Sequence, residues 1–102
     1  MTHTYTAVHH IAELAVADAD ARSYLSAPEP CDPEYIQAAR DAARDAAQHA
    51  DTTANVMPAN SPMRTLWAAI AASWRAVQHA DTVQQMRAGS NAAFTLLDAM
   101  AG

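Results

Sequence analysis

The five residues Gln-His-Ala-Asp-Thr occur twice in this chain, at 48–52 and at 78–82. His49 with Asp51, and His79 with Asp81, would supply two imidazoles and two carboxylates, a donor set that zinc and other transition metals accept. His10 and Glu13 stand three residues apart, a spacing that puts both on one helix face and is used in carboxylate-bridged metal sites. Two geometric arguments weigh against a shared metal. Residues two apart project from different sides of a helix, so His49 and Asp51 reach one ion only if the helix ends between them. The C-termini of two helices in an antiparallel hairpin also lie at opposite ends, which separates His49 from His79 unless a second copy reunites them. A structural account explains each letter of the repeat. Histidine in a last turn meets the negative end of the helix dipole, and Asp or Thr just beyond it caps or turns the chain. The repeat therefore reads as a duplicated joint 30 residues apart, each copy marking where a long helix ends. The set His49, Asp51, His79 and Asp81 stays as the alternative metal site, and no cofactor is expected.

Covalent and phosphate chemistry find less support. No glycine-flanked serine and no glycine-rich phosphate loop occurs. Cys31, the single cysteine, sits between prolines near a helix start, where a thiolate would be stabilised with His9 or His10 as assistants. An unreactive Cys31 is the simpler reading, and the chain is expected to be no enzyme. The segment "QHADTVQQMRAGSNA" has the shape of a helix-turn-helix joint, with Gln84, Gln85, Arg87, Ser90 and Asn91 as side chains that read bases. Its single arginine makes it a poor match for a phosphate backbone.

Few glycines and abundant alanine favour helix throughout, and no segment alternates long enough to read as a strand. The fold class is all-α, a bundle of about four helices in one domain over 1–102. The first helix is expected from Thr4 or Thr6 to Leu25, with Ile11, Leu14, Ala17, Ala21, Tyr24 and Leu25 as its inner face and Asp18–Arg22 as a surface pair. "SAPEPCDP" ends it. Asp32 as cap, Pro33 at the first position and Glu34 in the first turn start the second helix, about 33–50. Its stripe of Ala39, Ala43, Ala46 and Ala50, in line with Ile36, invites a bulky neighbour. That bulk is Met63, Trp67, Ile70, Trp74 and Val77, at spacings of 4, 3, 4 and 3 in a third helix capped by Ser61 and Pro62, about 62–80. The two form a central antiparallel hairpin. A fourth helix starts at Thr82, where Thr82 and Gln85 fit a capping box. It presents Val83, Met86, Phe94, Leu97 and Met100 or Ala101, and Gly89-Ser90 is expected to kink or break it.

Just over half the residues are apolar, but 27 of the 102 are alanine, which leaves few large side chains for a core. A homodimer is one way to bury more. The net charge is −5, all of it in residues 1–34, where six acids face Arg22, while five Asp balance five Arg over 35–102. Direct nucleic-acid binding is disfavoured. There is no membrane-length apolar run, and "MTHTYTAVHH" lacks the order of a secretion signal, so a cytoplasmic protein is expected. The functional expectation is a non-enzymatic protein acting through protein–protein contacts. By analogy of size and charge it fits phage or mobile-element inhibitors and regulators of host machinery, anti-CRISPR-like in kind. Glu13, Asp18, Asp20 and Glu29, with Arg40 and Arg44 read as exposed, are the expected partner surface. Trp67 and Trp74 are read as core first and as interface anchors second.

Overall fold

Four helices follow the chain in order: α1 (Thr2–Leu25), α2 (Pro33–Asn55), α3 (Pro62–Gln78) and α4 (Val83–Ala101). This is a computed structural model. It describes residues 2–25 and 33–101, with side chains over 7–21 and 33–100. The expected roles of Asp32, Cys31 and Glu29, and of the Arg22, Tyr24 and Leu25 side chains, lie outside the described residues. α1 packs on α2 and α4, α2 on α3, and α3 on α4, which closes a ring of four neighbours. The molecule measures 48 × 22 × 18 Å, a rod about as long as its helices with their ends.

The central hairpin is as its residues demand. Ala39, Ala43, Ala46, Ala47, Ala50 and Ala54 of α2 are all buried, and α3 presents Trp67, Ile70, Trp74 and Val77 to the core. Small side chains on α2 give room for two indoles on α3, so the large-into-small match is the packing itself. Met63 departs from the seam, 39% exposed at the helix start. Ser61 caps α3 by accepting the Met63 N–H at 3.2 Å, and Pro62 occupies the first turn. Arg64 reaches back to the Met57 carbonyl at 3.0 Å and closes the connection.

The repeated pentapeptide does not form the same structure twice. Residues 48–52 lie inside α2, which runs on to Asn55, five residues past the expected end. The alanine stripe explains this, because Ala54 continues the register and is buried, so helix formation there is coupled to packing. Thr53 also satisfies the His49 carbonyl with its hydroxyl at 2.8 Å. Residues 78–82 do form a joint. α3 ends at Gln78, the His79 N–H bonds to the Arg75 carbonyl, and Thr82 Oγ1 accepts the Gln85 N–H at 3.1 Å. Gln85 Oε1 in turn takes the Asp81 N–H at 2.8 Å. The residues after the repeat decide between the two outcomes: Thr-Ala-Asn prolongs a buried stripe, whereas Val-Gln-Gln completes a capping box.

Two further expectations are corrected. Gly89-Ser90 does not break α4, which runs as one helix from Val83 to Ala101. A Cβ on Gly89 would stand 2.7 Å from Val77 Cγ2 and 3.0 Å from the Ser73 carbonyl oxygen, so glycine is there to let α3 and α4 touch. Gly89→Ala should therefore destabilise. Alanine gains about 1 kcal/mol of helix propensity, but overpacking against fixed backbone costs about 1–3 kcal/mol. Denaturant unfolding at neutral pH checks the sign, and a stabilised variant would contradict the contact.

The inner face of α1 is also not the expected one. Ile11 and Leu14 point outward, 59% and 55% exposed, while His9, Ala12, Val16 and Ala19 are buried. Alanine is spread around the whole circumference of α1, so Ile11 and Leu14 dominate its periodicity and point to the wrong face. The true inner face carries a histidine, which a count of apolar residues passes over.

Candidate functional site

Two polar arrangements result from this packing, one inside the bundle and one on its surface. Inside, His9 of α1 is fully buried against Trp74 of α3 and Phe94 of α4. The His9 and Trp74 ring centroids are 5.2 Å apart and tilted, and Phe94 meets Trp74 edge-on at 6.0 Å. Trp74 Nε1–H donates to His9 Nδ1 at 2.5 Å. Indole nitrogen can only donate, so Nδ1 is the acceptor and the His9 proton sits on Nε2 in a neutral ring. Burial pushes the His9 pKa down from 6.5 to about 3, with the nearby His49 adding to the shift. A base that weak and that enclosed serves packing and orientation rather than proton transfer at neutral pH.

Beside this cluster, Glu13 of α1 and Arg87 of α4 form a partly buried ion pair. With His9–Phe94 it fixes α1 and α4 as antiparallel neighbours. Arg40, expected to be exposed, is partly buried and donates to the Ala80 carbonyl of the α3–α4 joint at 2.8 Å. Glu13 and Arg40 thus hold the bundle together. Asp18 stays exposed, Asp20 is half-buried, and Arg44 is exposed between Asp41 and Asp45 at 3.8 and 3.7 Å. Of the expected partner residues that are described, Glu13 and Arg40 make contacts between elements of the bundle, while Asp18 and Arg44 remain on the surface.

The expected metal ligands are not gathered together. Asp51 pairs with Arg75 across the hairpin. The Arg40–Ala80 contact sets the joint level with Arg40, nine residues, or about 13 Å of helix rise, from His49. His49 and His79 are both exposed, and among the described residues no group of three His, Cys, Asp or Glu is placed to hold a metal ion. Of the candidate base readers, Ser90 is fully buried and Arg87 is tied to Glu13, while Gln84, Gln85 and Asn91 remain exposed.

The surface arrangement is a groove between α1 and α2. Val8, Ile11 and Ala42 form its apolar wall, and Asp45, Gln48 and His49 its polar one, around a volume of about 180 Å³. The small side chain of Ala42 on α2 leaves the space open between Val8 and Ile11 of α1 and the polar wall. Ile11 is shared between the groove and the outward stripe that Leu14 continues one turn on. The sequence held a signal for this in the Ile11–Leu14 spacing, but that spacing was assigned to the core. Its α2 wall had no signal without the helix pairing.

The fold is that of an antiparallel four-helix bundle whose core is rich in alanine and built around Trp74 and Ile70. Comparisons with protein-family models, with curated proteins and with solved structures found no match to this chain. Among the described residues no helix is long and apolar enough to cross a membrane.

Proposed function

We propose that this is a non-enzymatic protein that acts by binding another protein through the outer face of α1 and α2, inhibiting or regulating that partner. The observation that carries this reading is the exposure of Ile11 and Leu14 side by side on α1, in a bundle so short of large apolar residues that alanine fills much of its core. Single exposed aliphatics are ordinary on protein surfaces, whereas adjacent ones beside a groove form an anchor site. Polar groups that join the helices are already engaged: His9 with Trp74 in the core, Glu13 with Arg87 partly buried, and Asp51 with Arg75 at the surface.

The test uses the protein as bait in extract of its native host, beside an Ile11→Gln/Leu14→Gln variant. Both substitutions lie on exposed positions, so the helical content and thermal midpoint should be kept. One dominant protein is expected on the wild-type bait, with its recovery reduced about tenfold or more on the variant. Equal recovery on both baits would remove this face from the function.

A further inference from the structure

The same face is specific about what it accepts. Its apolar and acidic features are interleaved. Ile11 and Leu14 continue along α1 into exposed Asp18, and Asp45 stands on the opposite wall with Asp41 one turn away. Arg44 is the cation among them, held loosely by both Asp41 and Asp45. At the face itself Asp18, Asp41 and Asp45 stand against Arg44, whereas Glu13 and Asp51 are paired with Arg87 of α4 and Arg75 of α3; the formal count by helix keeps the same sign. α1 and α2 carry seven acids (Glu13, Asp18, Asp20, Glu34, Asp41, Asp45, Asp51) against Arg22, Arg40 and Arg44, a difference of −4. Residues 62–101 carry Arg64, Arg75 and Arg87 against Asp81 and Asp98, a difference of +1. The negative charge therefore lies on the helices that carry the exposed aliphatics.

We infer that this face docks a cationic amphipathic helix of a partner protein, with one arginine or lysine of that helix seated in the α1–α2 groove. Such a side chain matches the groove at both ends. Its methylene stem lies along Val8, Ile11 and Ala42, and its charged head reaches the Asp45 carboxylate and the Gln48 amide oxygen. A volume of about 180 Å³ has room for one long side chain, not for a helix, so the helix lies above it. Apolar residues three or four positions from that cation then fall on Ile11 and Leu14, the usual register of a helix laid on a groove. A second copy of this chain is a worse occupant. It would bring another −5 chain, with Asp18, Asp41 and Asp45 of its own, against the same acidic rim.

The inference rests on the protein-binding reading above, and the following experiment separates the two. The probes are three labelled helical peptides of equal length. One carries leucines at alternating third and fourth positions with arginines on the flanks, one has glutamates in place of the arginines, and one is a scramble of the first. Binding is read by fluorescence anisotropy at low and at physiological salt, with sedimentation velocity of the protein alone over the same concentrations. The arginine peptide should bind, weaken as salt rises, and bind about tenfold more weakly to Ile11→Gln/Leu14→Gln and several-fold more weakly to Asp45→Asn. The glutamate peptide and the scramble should bind at least tenfold more weakly than the arginine peptide. Equal binding of the arginine and glutamate peptides, or indifference to Asp45→Asn, would overturn the cationic occupant. So would a concentration-dependent dimer that Ile11→Gln/Leu14→Gln abolishes, since the second copy would then hold the face. If no peptide binds while the host partner is still lost on the double variant, the occupant is wrong and the docking face stands. If both tests fail, the docking face falls too.

Discussion

Acidification from pH 6.5 to about 3 is expected to lower the unfolding free energy by about 1.4 kcal/mol per pH unit through His9 alone. The sign follows from which state binds the proton. Above pH 6.5 His9 is neutral in both states and contributes no pH dependence. Below it the unfolded chain takes up a proton at His9, while the folded protein, with its pKa pushed down to about 3, does not. The unfolded state is favoured progressively until the folded pKa is reached, and the slope then ends. Over the whole window the loss is about 5 kcal/mol, the size of the total stability of many small domains. Unfolding curves at stepped pH measure it. His9→Leu should flatten the slope between pH 6 and 4, even though it leaves Trp74 Nε1 without its acceptor and lowers stability at pH 7. An unchanged slope in that variant would place the acid lability elsewhere.

Trp74→Ala is expected to cost about 3–5 kcal/mol, the upper range for a core substitution, and to leave the bundle marginal at neutral pH. Trp74 is fully buried and is the side chain on which α1, α3 and α4 converge, through the His9 hydrogen bond and the edge-on contact with Phe94. Its removal opens a cavity that alanine-rich neighbours cannot refill. It also strips His9 Nδ1 of its donor inside the core, a further penalty for a buried acceptor. Trp67 gives the comparison, being slightly exposed at 8%. Trp67→Ala should cost less than Trp74→Ala in the same unfolding experiment. Equal costs would mean that Trp74 has no special place in the core.

The parts of the fold that could be read from sequence are those fixed by local chemistry or by a long regular pattern. Ser61-Pro62 and Thr82-Gln85 are caps whose hydrogen bonds need only their own neighbours. The α3 seam and the α2 alanine stripe recur often enough to declare their faces. What could not be read depends on which side chains meet across the helices. The first Gln-His-Ala-Asp-Thr copy stays helical because Ala54 beyond it finds a buried place, whereas the second ends a helix because Gln85 beyond it completes a cap with Thr82. Gly89 looked like a breaker because its neighbour across the interface, Val77, is not written beside it. Helix α1 was turned to the wrong face because His9, a titratable residue, serves as core.

That same error hid the candidate site. Reading Ile11 and Leu14 as interior left only charges to mark a partner surface, and two of those, Glu13 and Arg40, prove to be internal contacts. Turning α1 over exposes the aliphatic pair and sets Ile11 beside Asp45 of α2, 34 positions along the chain. The functional claim depends on that rotation of α1 more than on any other feature of the structure.

Residue-resolved amide shifts during titration with the arginine-bearing amphipathic peptide test the claim most directly. Changes are expected to concentrate on Ala7–Asp18 of α1 and Asp41–His49 of α2, with the outer face of α3 and α4 unmoved. Changes centred on Met63, Gln84 or Asn91, with α1 silent, would contradict it.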